Sequence, residues 1–171
     1  MTIAKKLIDH LNRTDHEIIS HKKVFTAYDA AATLKVKLEQ VVKVLLVKID
    51  KNYVLALLPA SQNLDFKKLA KILKVSSSKV SIPKEKVMTQ QFKVKPGAIS
   101  AFGSIYKVPV VLEKSLSKAK EAIFPSGSFM ESIKMKVKDF INLEQPQLAV
   151  FGAVKKFKVK RKKSKIKKKK K

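Results

Sequence analysis

Val41-Val-Lys-Val-Leu-Leu-Val-Lys-Ile49 and Tyr53-Val-Leu-Ala-Leu-Leu58, parted by Asp50-Lys51-Asn52, decide how this chain folds. Both runs are rich in β-branched residues and leucine, which suit a pleated, buried surface. The three residues between them have the composition of a turn that joins antiparallel strands. A hairpin is therefore expected at residues 41 to 58. Successive strand residues point to opposite faces, so Lys43 shares a face with Leu45, Val47 and Ile49. A buried ammonium without a partner is costly, so Lys43 either snorkels from the strand end or meets an anion.

Outward from the hairpin, helices and strands mix without a regular alternation. On the N-terminal side, Ile3, Leu7, Ile8 and Leu11 recur at helical spacing, and a short strand is expected around residues 17 to 20. Thr26-Ala-Tyr-Asp29 has the form of a capping box opening an alanine-rich helix through Leu34. On the C-terminal side, residues 64 to 73 read as a helix. Pro83 suits the first turn of another that reaches about Gln90, and residues 92 to 106 read as a loop. Further expectations are a strand at 108 to 112, a short helix from Ser115 and a strand at 122 to 124. Ile133, Met135 and Val137 alternate with lysines as in a half-buried strand, followed by a helix at 138 to 143 and a last strand at 147 to 151. This order predicts an α+β fold with a mixed, mostly antiparallel curved sheet flanked by helices.

Composition narrows the chemistry. A chain of 171 residues, 45% of them apolar, suits one domain with one core, placed at residues 1 to 154. With no cysteine, disulfides, thiolate catalysis and sulfur-bound zinc are excluded. His10, His16 and His21 have no metal-ligand spacing, so neither a metal nor a cofactor is expected. No apolar run is long enough to cross a membrane and the first residues lack a signal-peptide core, which predicts a soluble cytoplasmic protein without a membrane partner.

The net charge of +26 points to a polyanion. Residues 155 to 171 hold thirteen of the 39 bases and no acid, so a disordered tail is expected there. Lys155, Lys156, Lys158, Lys160, Arg161, Lys162 and Lys163 are its candidate RNA-binding residues. Residues 1 to 154 remain at +13, with 26 bases against 13 acids, so the body is basic by itself. Both parts release counterions from a phosphate backbone on binding, and nucleic acid is the leading partner.

Two further segments invite a ligand. In Gly97-Ala98-Ile99-Ser100-Ala101-Phe102-Gly103, small residues let backbone amides approach a carbonyl or phosphate oxygen, although such stretches also serve as plain connectors. Ser126-Gly127-Ser128 offers hydroxyls and amides, and equally suits a strand-end turn. No nucleophile elbow, Walker loop or dinucleotide fingerprint is present, and the histidines have no serine or acid partner in sequence.

Taken in order, Ile18-Ile-Ser-His21, the alanine-rich helix, Lys43-Val-Leu-Leu46, residues 53 to 59, Leu64-Asp-Phe-Lys-Lys-Leu-Ala70, Gly97-Ala-Ile-Ser-Ala-Phe-Gly103, Val110-Val-Leu-Glu113 and Ser126-Gly-Ser128 resemble the landmarks of the YbaK/prolyl-tRNA-synthetase-associated editing domains. The resemblance spans about residues 17 to 143. It implies a deacylase that hydrolyses the ester of mischarged tRNA, typically alanine or cysteine on the proline tRNA. Aminoacyl-tRNA would be its substrate and an aminoacyl-tRNA synthetase a possible associate. Lys43 matches the family lysine that contacts the terminal nucleotide. Gly97, Ala98, Ile99, Ser100 and Ala101 match the Gly-x-x-x-Pro loop that positions the ester carbonyl and water. His21, Phe102, Gly103, Ser126, Gly127 and Ser128 fall at substrate-binding positions. Ala101 stands where the family loop has proline, Val44 where threonine often follows the lysine, and Ser132 where some members carry aspartate. An RNA-binding relative that keeps the fold without the chemistry is the alternative, and a structural domain with a basic tail is a third.

Overall fold

The structure, a computed structural model, describes residues 3 to 154. In chain order it comprises α1 (Lys5–Leu11), β1 (His16–Ser20), α2 (Ala27–Leu34), β2 (Val42–Ile49), β3 (Asn52–Pro59), β4 (Gln62–Leu64) and α3 (Phe66–Ile72). There follow β5 (Val80–Ser81), α4 (Glu85–Gln90), β6 (Val110–Glu113), β7 (Glu121–Pro125), β8 (Glu131–Lys136), α5 (Val137–Glu144), β9 (Gln147–Ala149) and β10 (Gly152–Val154). The tail from residue 155 onward, expected to be disordered, and its candidate RNA-binding residues, from Lys155 to Lys163, lie outside the described residues.

β2 and β3 form the expected hairpin, in register from Val42 opposite Pro59 to Ile49 opposite Asn52. They sit inside a five-stranded sheet of order β5-β2-β3-β6-β9, antiparallel on the hairpin side and parallel at β3-β6 and β6-β9. Both faces of the hairpin are covered, which is why its strands read as nearly unbroken apolar runs. Val42, Leu46, Leu55 and Leu57 enter the larger core with Phe102, Phe124 and Phe140. Val47, Ile49, Val54, Ala56 and Leu58 enter a second core with Leu69 of α3, Val80 and Phe151.

A second, antiparallel sheet of order β1-β8-β7 closes the larger core from the other side. Ile133 and Met135 of β8 point into that core, so Ser132 and Lys134, alternating with them, face away from it. Val41 and Ile123 make a parallel bridge between the two sheets, and α2 packs Ala30 and Ala31 over this joint. The α2 capping box forms as read: the Asp29 amide donates to the Thr26 hydroxyl at 3.1 Å, and the Thr26 amide donates to the Asp29 carboxylate at 3.2 Å.

Several boundaries differ from the sequence reading. Pro83 lies outside α4, whose first turn begins at Glu85 after the cap Lys84. The helix expected from Leu64 starts at Phe66, because Asp65 caps it and Gln62–Leu64 is a strand. The loop after α4 contains a 3-10 turn, Gly103–Tyr106, and the helix after β6 is also 3-10, Lys114–Lys118. The last expected strand stops at Ala149, and the chain then forms a separate strand, β10, against β4.

Glu113 explains that break. Its buried carboxylate accepts the Phe151 amide at 2.7 Å and the Gly152 amide at 2.6 Å, turning the chain out of the sheet and toward β4. Replacing Glu113 by Ala leaves these amides without their acceptor. The expected loss is about 2–4 kcal/mol of unfolding free energy in urea titrations of the full chain. An unchanged midpoint would contradict the role given to this carboxylate.

Candidate active site

A cavity of about 410 Å³ opens between β2, the start of α2 and the two loops at 97–99 and 125–129. Its wall is mainly apolar, with Val24, Ala30, Val42, Ile99 and Ile123 among its residues. One side of it is a strand edge. β5 covers only Lys48 and Ile49 of β2, and the bridge to Ile123 lies at Val41, so no strand pairs with the intervening outer edge among the described residues. Leu55, opposite Leu46, donates its amide to Pro109 on the far side of β3. By alternation, Leu46 and Val44 present their backbone amides and carbonyls to the cavity edge. No local sequence pattern signals this, since an open edge depends on how short β5 is.

Lys43 borders the cavity, but its ammonium donates to the carbonyl oxygen of Gln62 on β4. Burial pushes this ammonium below the ordinary lysine range. Lys43 thus holds a neutral acceptor in the structure, with which an arriving phosphate would compete.

The loop at 97–103 is held by its own polar groups. The Ala98 amide donates to Lys95 at 2.9 Å, the Ser100 amide to the Tyr106 hydroxyl at 2.9 Å, and the Ala101 amide to the Pro125 carbonyl at 3.0 Å. The Ser100 hydroxyl also donates to Pro125, at 3.3 Å, and accepts the Phe102 amide at 3.4 Å. Ser100 is thus fully buried and serves the loop itself. Of the loop residues that border the cavity, Gly97 and Ile99, neither has an acceptor for its amide among the described residues. Burial raises the Tyr106 hydroxyl above the usual phenol range, and the Ser100 amide partly opposes this.

The second loop backs the first. Gly127, at φ +90°, lies where a side chain would touch the Ala98 carbonyl and the Ser100 side chain, at 3.4 and 3.6 Å. The Ser126 hydroxyl donates to Glu131 at 2.5 Å and accepts the Ser128 amide at 3.1 Å, so it shapes the turn. Ser128 reaches the cavity. Phe102 and Gly103 do not: Phe102 is packed among Phe124 and Phe140, and a side chain at Gly103 would collide with the Val108 carbonyl.

Two features escaped the sequence reading. At the cavity mouth the rings of Phe25 and Phe129 stand 5.2 Å apart, with the Lys23 ammonium 5.2 and 5.9 Å from their centroids. Phe25 is 59% exposed there, a cost that a stacking partner would relieve. His21 places Nε2 2.9 Å from the hydroxyl of Ser132, a residue of the cavity wall 111 positions away in the chain. No group of metal-ligating side chains occurs among the described residues, and none of the described helices is long and apolar enough to cross a membrane.

Residues 21–143 match the family of aminoacyl-tRNA editing domains. No curated protein matches the chain. Among solved structures, a candidate trans-editing enzyme for prolyl tRNA synthetase superposes with a TM-score of 0.76 at 16% identity, over 89% of this chain and 99% of that one. A hypothetical protein superposes at 0.79 and 13% identity, over 87% and 100%. A scaffold protein carrying a designed epitope graft superposes at 0.71 and 19% identity, over 81% and 86%. At these identities the likeness is one of fold.

Ala101 takes the position where the resembled loop has proline, and its amide makes a bond that proline cannot. Ala101→Pro removes the donor to Pro125 and is expected to cost about 1–3 kcal/mol in thermal or urea unfolding. Equal or greater stability in the variant would show that this hydrogen bond does not hold the loop.

Proposed function

Because the chain belongs to the aminoacyl-tRNA editing domain family, we propose that it is a trans-editing deacylase, a hydrolase that cleaves the ester between a wrongly attached amino acid and its tRNA. The observation that carries this reading is the pair of uncommitted amides, Gly97 and Ile99, at the edge of a mostly apolar cavity. An ester carbonyl gains negative charge as its carbon becomes tetrahedral. Fixed N–H donors stabilise that charge without reorganising at the moment of reaction. The apolar wall suits a small side chain, and the open edge of β2 offers backbone partners to the amino acid's ammonium.

The nucleotide end has its own contacts. The ring pair Phe25 and Phe129, with Lys23 beside it, is a platform for the terminal base, since every base has a face that stacks on an aromatic ring. Lys43 lies one strand edge away and would exchange the Gln62 carbonyl for the terminal phosphate. The remaining affinity is electrostatic: a net charge of +26, with Lys155, Lys156, Lys158, Lys160, Arg161, Lys162 and Lys163 beyond the domain, favours a long phosphate backbone over a mononucleotide. On this reading the protein works in the cytoplasm on aminoacyl-tRNA, alongside an aminoacyl-tRNA synthetase of the prolyl type. The same charge favours the second reading, an RNA-binding relative without catalysis.

The test is amino-acid release from mischarged tRNAs, with alanine and cysteine on the proline tRNA in the panel. The wild-type protein is expected to hydrolyse at least one ester, and Lys43→Ala to slow it by roughly 10-fold or more while bulk tRNA binding persists. Salt-sensitive binding with no hydrolysis of any ester would leave the second reading.

A further inference from the structure

We infer that Glu144 and Tyr106 are positioning residues for the hydrolysis: with helix α1 they clamp the 3-10 turn Gly103–Tyr106, and through it the loop that presents the Gly97 and Ile99 amides. This rests on the deacylase reading above.

The clamp begins with an acid in a costly place. Glu144 is the last residue of α5, where the helix dipole disfavours negative charge, and its side chain is fully buried. Three polar contacts offset that cost. His10 of α1 places Nε2 2.6 Å from Oε1, and Ser104 donates both its amide, at 3.0 Å, and its hydroxyl, at 2.9 Å, to Oε2. α1 holds the same turn a second time, because the Lys6 ammonium donates to the Ile105 carbonyl at 2.7 Å. Leu7 and Leu11 fasten the helix by entering the core that contains Phe102. Lys6, His10 and Glu144 all lie outside the family-matched residues 21–143, so the turn is gripped from both flanks of that segment.

Tyr106, the last residue of the turn, carries the constraint to the site. Its hydroxyl accepts the Ser100 amide at 2.9 Å, and its ring stands edge-on to Phe92 with centroids 6.1 Å apart. Burial raises the hydroxyl above the usual phenol range, so it remains an uncharged acceptor. Each peptide unit is planar, so a hydrogen bond to one amide fixes the orientation of the whole unit. The Ala98 amide, bonded to Lys95, fixes the unit between Gly97 and Ala98, and the Ser100 amide, bonded to Tyr106, fixes the unit between Ile99 and Ser100. The Ile99 amide belongs to the single unit between these two. Without the Tyr106 hydroxyl that unit is held from one side only.

The consequence is for rate rather than affinity. Neither Tyr106 nor Glu144 lines the cavity, so neither is placed to touch the ester. Misplacing a stabilising donor by about 1 Å costs up to roughly 100-fold in the chemical step.

The experiment uses the full chain as wild type, Tyr106→Phe, Glu144→Ala and Glu144→Gln, each checked for folding by circular dichroism. Two readouts are compared: ¹⁵N relaxation of the Gly97 and Ile99 amides, which needs no substrate, and kcat and KM for amino-acid release from the mischarged-tRNA panel. Tyr106→Phe keeps the ring and removes only the acceptor, so it carries the test if Glu144→Ala fails to fold. The expected result is greater mobility of these amides in Tyr106→Phe and Glu144→Ala, with kcat lowered about 10-fold and KM within about 2-fold of wild type. Glu144→Gln, whose side-chain oxygen still accepts from Ser104, is expected to restore most of both. Wild-type relaxation of the loop amides in Tyr106→Phe, or altered relaxation with kcat at the wild-type value, overturns the inference. Loop amides that loosen in the variants while the wild type releases no amino acid from any tRNA would keep the clamp and remove the deacylase reading. Hydrolysis by the wild type with an unaltered loop in every variant would do the opposite.

Discussion

A cation in a strand buried on both faces is the constraint around which this structure is arranged. β2 gives alternate residues to two separate cores, and Lys43 stands among them. Its ammonium is half-desolvated and needs an oxygen, and the Gln62 carbonyl supplies one. That carbonyl belongs to β4, which is held by β10, and β10 leaves the sheet where Glu113 captures the Phe151 and Gly152 amides. A chain of three short polar contacts thus runs from the C-terminal strand to the wall of the cavity. A neutral carbonyl satisfies the lysine without cancelling its charge, so the position stays receptive to an anion.

The two loops that complete the cavity are stabilised by each other. Pro125 has no amide to give, but its carbonyl takes two donors from the first loop, and Gly127 leaves room for the Ala98 carbonyl. Rigidity in the first loop comes from hydrogen bonds of Ser100 and Ala101 where a proline ring would otherwise supply it. The outcome is a pair of loops held in place by their own hydrogen bonds before any ligand arrives.

The hairpin, the capped helix α2 and the half-buried strand β8 were legible in the sequence because each is a local pattern: runs of β-branched residues, a Thr-x-x-Asp signature, a period of two. The loops at 97–103 and 126–128 were legible as small-residue segments, and the structure brings them into contact. What each residue does within them was not legible. Ser100 and Ser126 look like ligand groups in sequence but spend their hydroxyls on the backbone. Phe102 and Gly103 are consumed by packing. His21 appeared to have no partner because Ser132 reaches it only through the pairing of β1 with β8, an antiparallel contact across more than a hundred residues. The rim formed by Phe25 and Phe129 is likewise a product of tertiary structure, as is the open edge of β2.

The central claim is that the aminoacylated end of an RNA occupies this cavity. Its most direct test is a ¹⁵N–¹H titration of the protein with a non-hydrolysable 3′-aminoacylamino-adenosine, in which an amide replaces the ester. The account predicts saturable shifts at the backbone amides of Val44, Leu46, Gly97, Ile99 and Ser132, residues that line the cavity from separate elements. Shifts confined to surface lysines, or none at these five amides at saturation of a tRNA-binding assay, would contradict it.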